Sequence, residues 1–227
     1  MKLIAIETAT EACSSALWID GEITARHRVA PRLHAELLLD DVQSLLAEAK
    51  LDLSSLDGIA FGRGPGSFTG IRIAAAMTQG LALAAGLPVA PVSTLAALAR
   101  GAMRETGAER VIAALDARMS EVYVGRFEAG PSGLAVPDGG ESVIPPREAP
   151  RPERAGWHGA GHGFDAQHGA LRERLRDVLS EVDADRLPHA RDVAALGAAV
   201  LERGEGVPAE RALPVYLRDK VAEKPKT

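Results

Sequence analysis

Any chemistry in this chain rests on a few residues: the carboxylate and hydroxyls of Glu7, Thr8 and Thr10, a glycine-dense stretch at residues 58–73 (GIAFGRGPGSFTGIRI), Asp116 with Arg118 and Ser120, and the histidines His34, His158 and His162. Glu7, Thr8 and Thr10 close an apolar run. A carboxylate and hydroxyls placed there would hold magnesium and a phosphate through water, and the same residue types would equally cap an ordinary hairpin turn. In the glycine stretch, Gly62, Gly64, Gly66 and Gly70 carry no Cβ, so the backbone can approach a phosphate, a partner chain or its own sheet. A helical run follows Ser67, and its first-turn N–H groups, with Arg63 just upstream, would receive an anion. Two details weigh against a phosphate cradle. No Gly-Lys-Ser/Thr ending supplies a lysine for a β- or γ-phosphate, and Pro65 removes one backbone donor. A turn that docks its helix on a sheet accounts for the same glycines, and both readings stand at this point.

His158 and His162 have the four-residue spacing that would aim two imidazoles at one metal on a helix. They lie among Gly156, Gly159, Gly161 and Gly163, which disfavour a helix, and no carboxylate or cysteine joins them before Asp165. Tetrahedral zinc needs three or four ligands, so no metal site is expected. His34 opens a leucine-striped segment as a cap or contact residue rather than a general base. No nucleophile elbow marks a Ser-His-Asp triad, and no catalytic residue is assigned.

The elements that must position these residues follow from periodicity. Residues 3–7, 13–19 and 22–29 read as strands, with Asp20-Gly21 as the hairpin turn between the last two. Residues 33–49 carry Leu33, Leu37, Leu38, Val42, Leu45, Leu46 and Ala49 at helical spacing. A strand at 58–62, a helix at 67–85, a strand at 88–92 and a helix capped by Ser93 and running to about residue 104 complete a βββαβαβα block. A second block opens at about residue 110 with two strands around a turn at 116–120, which puts Asp116 in the place that Glu7 holds in the first. Two acidic strand ends facing across a cleft would suit a nucleotide. Residues 129–156 read as surface loop with a short strand, and helices are expected at about 165–180 and 190–203. The repeated hairpin-first plan implies two related α/β lobes, residues 1–106 and 107–227.

The 67–85 helix is rich in small residues on more than one side: Gly70, Ala74, Ala75, Ala76, Gly80, Ala82, Ala84 and Ala85. Such a helix is either deeply buried or pressed against a partner's helix, and periodicity does not choose between them.

Composition bounds the rest. The chain has 227 residues, 46% of them apolar, enough for a real core. A formal charge of -5 and a pI near 5.7 exclude a protein that grips nucleic acid by itself with a basic stripe. The single cysteine, Cys13, precludes an intrachain disulfide and fits a reducing compartment as a small buried residue. The N-terminal apolar run is too short for a signal peptide and no later run reads as a membrane span, so the cytoplasm is expected.

The segments IAIETATEACSSALW, APRLHAELLL, AFGRGPGSFTGIRIAAAMTQGLALA, LDARMSEVYVG and PVYLRDKVA resemble the TsaB (YeaZ) family across nearly the whole chain, least over residues 129–190. The resemblance implies an α/β fold of two actin-like lobes, in the ribonuclease H-like, sugar kinase and Hsp70 ATPase superfamily. It implies work with TsaD and the ATPase TsaE in transferring threonylcarbamoyl from threonylcarbamoyl-AMP to the adenosine beside the anticodon in tRNAs reading codons that begin with adenine. TsaD, the catalytic sister, holds a metal partly through a His-x-x-x-His pair after the strand equivalent to residues 88–92. Here Thr94 and Leu98 stand at those positions, and neither replaces an imidazole. The implied role is a non-catalytic subunit that requires no cofactor itself, with ATP and magnesium at a site of the complex. The superfamily commonly has Asp where Glu7 stands, which sets this carboxylate one methylene further out. A nucleotide would meet Glu7, Thr8, Thr10, Gly64, Gly66 and Ser67. The implied partner contacts are His34, Leu37, Leu38, Ile71, Ala74, Ala75, Thr78 and Leu81, with a homodimer when the chain is alone, tRNA met only through the complex, and no membrane. The alternative function is a small-molecule kinase or phosphotransferase of the same superfamily. A peptidase reading lacks triad and metal ligands.

Overall fold

The computed structural model describes residues 1–218; residues 219–227, which include the end of the PVYLRDKVA segment, lie outside the described residues. The N-terminal sheet is built on β1 (Lys2–Glu7), whose residues from Leu3 onward are buried on both faces. Its antiparallel neighbour β2 (Ala12–Ile19) turns into β3 (Glu22–Val29) through Asp20 and Gly21, both in the left-handed region that a tight two-residue hairpin needs. On the other side β4 (Gly58–Gly62) and β5 (Val89–Val92) run parallel to β1, giving the order β3-β2-β1-β4-β5.

The second sheet repeats that plan. β6 (Arg110–Arg118) and β7 (Glu121–Ala129) form the hairpin and β8 (Ala135–Pro137) extends it antiparallel. β10 (Trp157–Ala160) and β11 (Leu179–Asp183) then add in parallel beyond β6. Its order, β8-β7-β6-β10-β11, matches the first sheet strand for strand, with β9 (Ser142–Ile144) as an extra partner of β7. The expected pair of related lobes is therefore present in topology and strand direction.

Among the described residues five helices cover the sheets: α1 (His34–Glu48), α2 (Phe68–Ala85), α3 (Thr94–Thr106), α4 (Ala166–Leu175) and α5 (Ala190–Glu202). Ser67 and Ser93 cap α2 and α3 by accepting from the N–H groups of Gly70 and Ala96, and Gly86 and Gly107 end them in the left-handed conformation. Leu38, Val42 and Leu45 of α1 and Ala74 and Ala75 of α2 pack with Ile4, Ile6 and Phe61 on one face of the first sheet. α2 is 18 residues long with a mean hydropathy of 1.2, long and apolar enough to cross a membrane by that measure, which the sequence reading did not anticipate. Packing on β1, β4 and α1 buries one third of it, and the rest is half-buried or open.

Three expectations are corrected. The glycine-rich segment before residue 165 is not merely a lead-in to a helix: residues 157–160 are β10, fully inside the sheet. Gly159 is required there, because a Cβ would sit 2.8 Å from the Phe164 ring. The helix expected to about residue 180 stops at Leu175 and gives way to β11, which β10 recruits as a parallel edge.

The third correction concerns the division at residues 106/107, which separates the sheets but not the helices. α5, late in the chain, lies on β1, β2, β4 and β5, whereas α3, early in the chain, lies on β6, β7 and β8 and against α5. The small residues of the first sheet admit this cover closely: Ala5, Ala60 and Ala90, with Leu3, bury against Val193, Ala194 and Ala198, and Gly197 passes so close that a Cβ would lie 2.3 Å from that of Ala60. Where the first turn of α5 meets the later turns of α3, the buried Asp192 pairs with Arg100 at 2.6 Å and Arg104 at 3.2 Å. Removing both arginines would strand the buried Asp192 carboxylate, at a cost of about 3–5 kcal/mol.

Candidate functional site

Glu7 ends β1 pointing into the protein. Its Oε1 accepts the Ala9 N–H at 2.7 Å, its Oε2 accepts the Thr94 hydroxyl at 3.0 Å, and it is 1% exposed. Burial pushes its pKa up to about 7, against the opposing hydrogen bonds from Ala9, Thr94 and Thr8. Gly62 leaves the room, since a Cβ there would fall 2.0 Å from Oε2.

The glycine loop is equally occupied by its own chain. Thr8 donates its hydroxyl to the Gly70 carbonyl at 2.8 Å, and the Ser67 N–H donates to the Ala9 carbonyl at 2.7 Å. Cβ atoms at Gly66 and Gly70 would lie 2.5 and 2.0 Å from the carbonyl oxygens of Ala9 and Thr8. Of the two readings of these glycines, the geometry is that of the docking turn, with α2 seated on the β1 end. Glu7 and Thr8 do not fit a magnesium-phosphate site, because their oxygens are engaged and turned away from solvent.

A cleft of about 670 Å³ opens between the lobes, lined on one side by Ala9, Thr10, Gly66 and Ser67 and on the other by Asp116, Arg118 and Tyr123. Thr10, Gly66 and Ser67 therefore reach the cleft, while Glu7, Thr8 and Gly64 are not among its lining residues. Two facing acidic strand ends are not formed. Of Glu7 and Asp116 only Asp116 lines the cleft, and its carboxylate is taken by the N–H of Arg118 at 2.8 Å and by that residue's guanidinium at 3.1 Å.

His34 is buried at the start of α1 and also lines the cleft, without capping a helix by its side chain. His162 accepts the Asp116 N–H on Nδ1 at 3.0 Å. His158 sits in β10 among Glu181, Arg186 and Asp183, a different set of neighbours, and burial lowers the pKa of both histidines. Among the described residues no group of three or more His, Cys, Asp or Glu side chains is placed to hold a metal ion. Thr94, engaged with Glu7, and Leu98, 1% exposed and packed where a Gly161 Cβ would lie 2.7 Å from it, fill the start of α3.

The partner-contact set divides by burial. His34, Leu38, Ile71, Ala74, Ala75 and Thr78 are buried inside the chain, and Leu37 and Leu81 are half-buried. The α2 residues of this set face the chain's own first lobe, and small residues all round the helix blur its period. The open side carries Phe68, Arg72, Ala76, Gly80, Leu83 and Ala84, with Leu83 76% exposed and open space around Gly80. Sequence reasoning gave the PVYLRDKVA segment no site role, yet Val215, Tyr216 and Arg218 line the cleft.

The duplicated sheet order, the inter-lobe cleft and the crossed helices define a two-lobed protein of the actin-like, ribonuclease H-like class. Within that class the chain belongs to the TsaB (YeaZ) family, whose members are named for tRNA threonylcarbamoyladenosine biosynthesis. Residues 23–226 match the family described as TsaD: tRNA N6-adenosine threonylcarbamoyltransferase. The chain is 42% identical over 230 aligned positions to the tRNA threonylcarbamoyladenosine biosynthesis protein TsaB of Escherichia coli (strain K12), covering 99% of this chain and 97% of that one. It is 50% identical over 123 positions to the protein of the same name from Haemophilus influenzae, covering 54% of this chain and 52% of the other. The solved structure of YeaZ from Pseudomonas aeruginosa superposes with a TM-score of 0.89 at 50% identity, covering 95% of this chain and 99% of that chain.

Proposed function

We propose that this chain serves tRNA threonylcarbamoyladenosine biosynthesis as a non-catalytic subunit that binds TsaD and, together with TsaE, activates it for threonylcarbamoyl transfer to tRNA. The observation that carries the reading is the filled start of α3: Thr94 is bonded to Glu7 and Leu98 is packed against Gly161, where the resemblance puts metal-binding histidines in the catalytic sister. A second support is the inward Glu7 carboxylate, whose engaged oxygens leave no acidic strand end for magnesium. The chain needs no cofactor of its own in this reading, and ATP with magnesium belongs to the assembled complex.

The partner lies on the open side of α2, along Ala76, Gly80 and Leu83, where small residues permit close helix approach. Without TsaD the same side pairs two copies of this chain. tRNA is met through the complex, in keeping with the net charge of -5, and the setting is the cytoplasm.

Reconstitution tests it. Purified TsaD, TsaE and the threonylcarbamoyl-AMP synthase are combined with and without this chain, and modified adenosine is quantified by mass spectrometry. Modification is expected to depend on this chain, which alone turns over no ATP. Undiminished modification in its absence would overturn the reading, and phosphoryl transfer by the purified chain would favour the kinase alternative.

A further inference from the structure

After α5 the described chain first returns to the lobe that α5 covers. Ala209 and Ala212 bury against the first sheet's core, and the Ala212 carbonyl accepts from the Gln79 side chain of α2 at 3.2 Å. The chain then turns across the cleft. Val215 donates its N–H to the Arg63 carbonyl of the glycine loop at 2.8 Å. Tyr216 accepts the Arg72 Nε–H on its hydroxyl at 2.9 Å, its ring 5.8 Å from that of Phe68, over which the same guanidinium lies at 3.6 Å. All of these contacts are with the first lobe.

Two residues later the hydrogen bonds that Arg218 makes among the described residues are all with the second lobe. Its guanidinium donates to the carbonyls of Ala117 and Arg118 at 3.2 and 3.4 Å, to the Met119 sulfur at 3.4 Å and to the Glu121 carboxylate. That ion pair is mostly covered, with the Arg218 side chain 19% exposed. The residues it grips form the turn between β6 and β7, where Arg118, Met119 and Ser120 all have positive φ, of 60°, 53° and 63°. Non-glycine residues in that region cost on the order of 1 kcal/mol each and persist where their surroundings hold them. Arg218 supplies such a hold by engaging two carbonyls of the turn at once. An extended segment advances roughly 3.3 Å per residue, so the three steps from Val215 to Arg218 span about 10 Å.

We propose that residues 215–218 are a latch across the inter-lobe cleft, fastened on the first lobe by Val215 and Tyr216 and on the second by Arg218, which holds the β6–β7 turn opposite the glycine loop and sets the width of the cleft. With the latch released, the turn loses its hold and the lobes part at the cleft mouth, while the α3–α5 layer behind it stays joined through Asp192, Arg100 and Arg104. The latch goes beyond the scaffold reading and does not depend on it, since its contacts lie within this chain.

Hydrogen exchange of the full chain by mass spectrometry, for the parent, Arg218→Ala and Tyr216→Phe, tests the latch. Arg218→Ala is expected to raise amide exchange in residues 117–121 and 63–68 at least about 10-fold, with α5 and the central strands unchanged, as for a local opening. Tyr216→Phe, which removes one hydroxyl and keeps the ring, is expected to give a smaller rise at the same places. Unchanged exchange in both variants would overturn the proposal. A rise spread evenly over α5 and both sheets would overturn it too, because it would assign these contacts to general stability.

Discussion

Thr94 donates its hydroxyl to the Glu7 carboxylate over 3.0 Å, joining the end of the first strand to the first turn of the helix that covers the second sheet. This bond turns a residue typical of a ligand site into a structural fastening between the lobes. It also sets a buried acid where its charge state matters to the fold.

Burial raises the Glu7 pKa to about 7, above its value of about 4.3 in an unfolded chain. The folded form then binds more protons than the unfolded form between those values, so this residue's contribution is fully present below about pH 4.3 and is lost as pH rises through about 7. Glu7→Gln keeps the shape and removes the titration. The variant's stability relative to the parent is expected to be greater at about pH 8.5 than at about pH 5, by on the order of 2 kcal/mol. Urea unfolding at both pH values measures this, and equal differences at the two would refute it.

His189 caps α5 by accepting the Arg191 N–H on Nδ1 at 3.0 Å, and it stacks on His27 with ring centroids 4.4 Å apart. Burial first, and the neighbouring His27 second, lower its pKa to about 4. The unfolded chain therefore takes up this proton first as pH falls from about 6.5, and the stabilisation is gone below about pH 4. His189→Asn retains a cap acceptor without the titration. Its stability should fall less steeply than the parent's across that window, and parallel curves would count against the cap assignment.

Two glycines of one helix should respond to alanine with opposite sign. At Gly70 the new methyl meets the Thr8 carbonyl oxygen at 2.0 Å, so Gly70→Ala should destabilise by roughly 1–3 kcal/mol. At Gly80 nothing lies within 4 Å, and Gly80→Ala should stabilise by about 0.5–1 kcal/mol through helix propensity. Thermal denaturation of the two variants decides both signs.

The open side of α2 can be separated from its packed side in the same way. Ala76→Arg and Gly80→Arg should leave the isolated chain folded but monomeric, and abolish co-elution with TsaD in size-exclusion chromatography. Ala75→Arg, at a position 4% exposed, should unfold the chain instead. Co-elution surviving in both outward variants would move the partner to another face.

Local rules carried much of the fold. Asp20-Gly21 between apolar runs marked a hairpin, the leucine spacing of residues 33–49 marked α1, and Ser93 marked the start of α3, because turn, period and cap are each written within a few residues. The repeated hairpin-first order implied the second lobe before any contact was known. Tertiary structure alone decided that Glu7 turns inward to Thr94, that α5 crosses back to cover the first sheet, that Trp157 to Ala160 lie inside the second, and that α2 presents Ala76 and Gly80 rather than Ala75 and Thr78. Periodicity reports that a face is buried and is silent about what buries it. On a helix of small residues it does not even single out the face. Which oxygen meets which hydroxyl across the lobes depends on contacts between residues far apart in the chain, and those exist only once both sheets have packed.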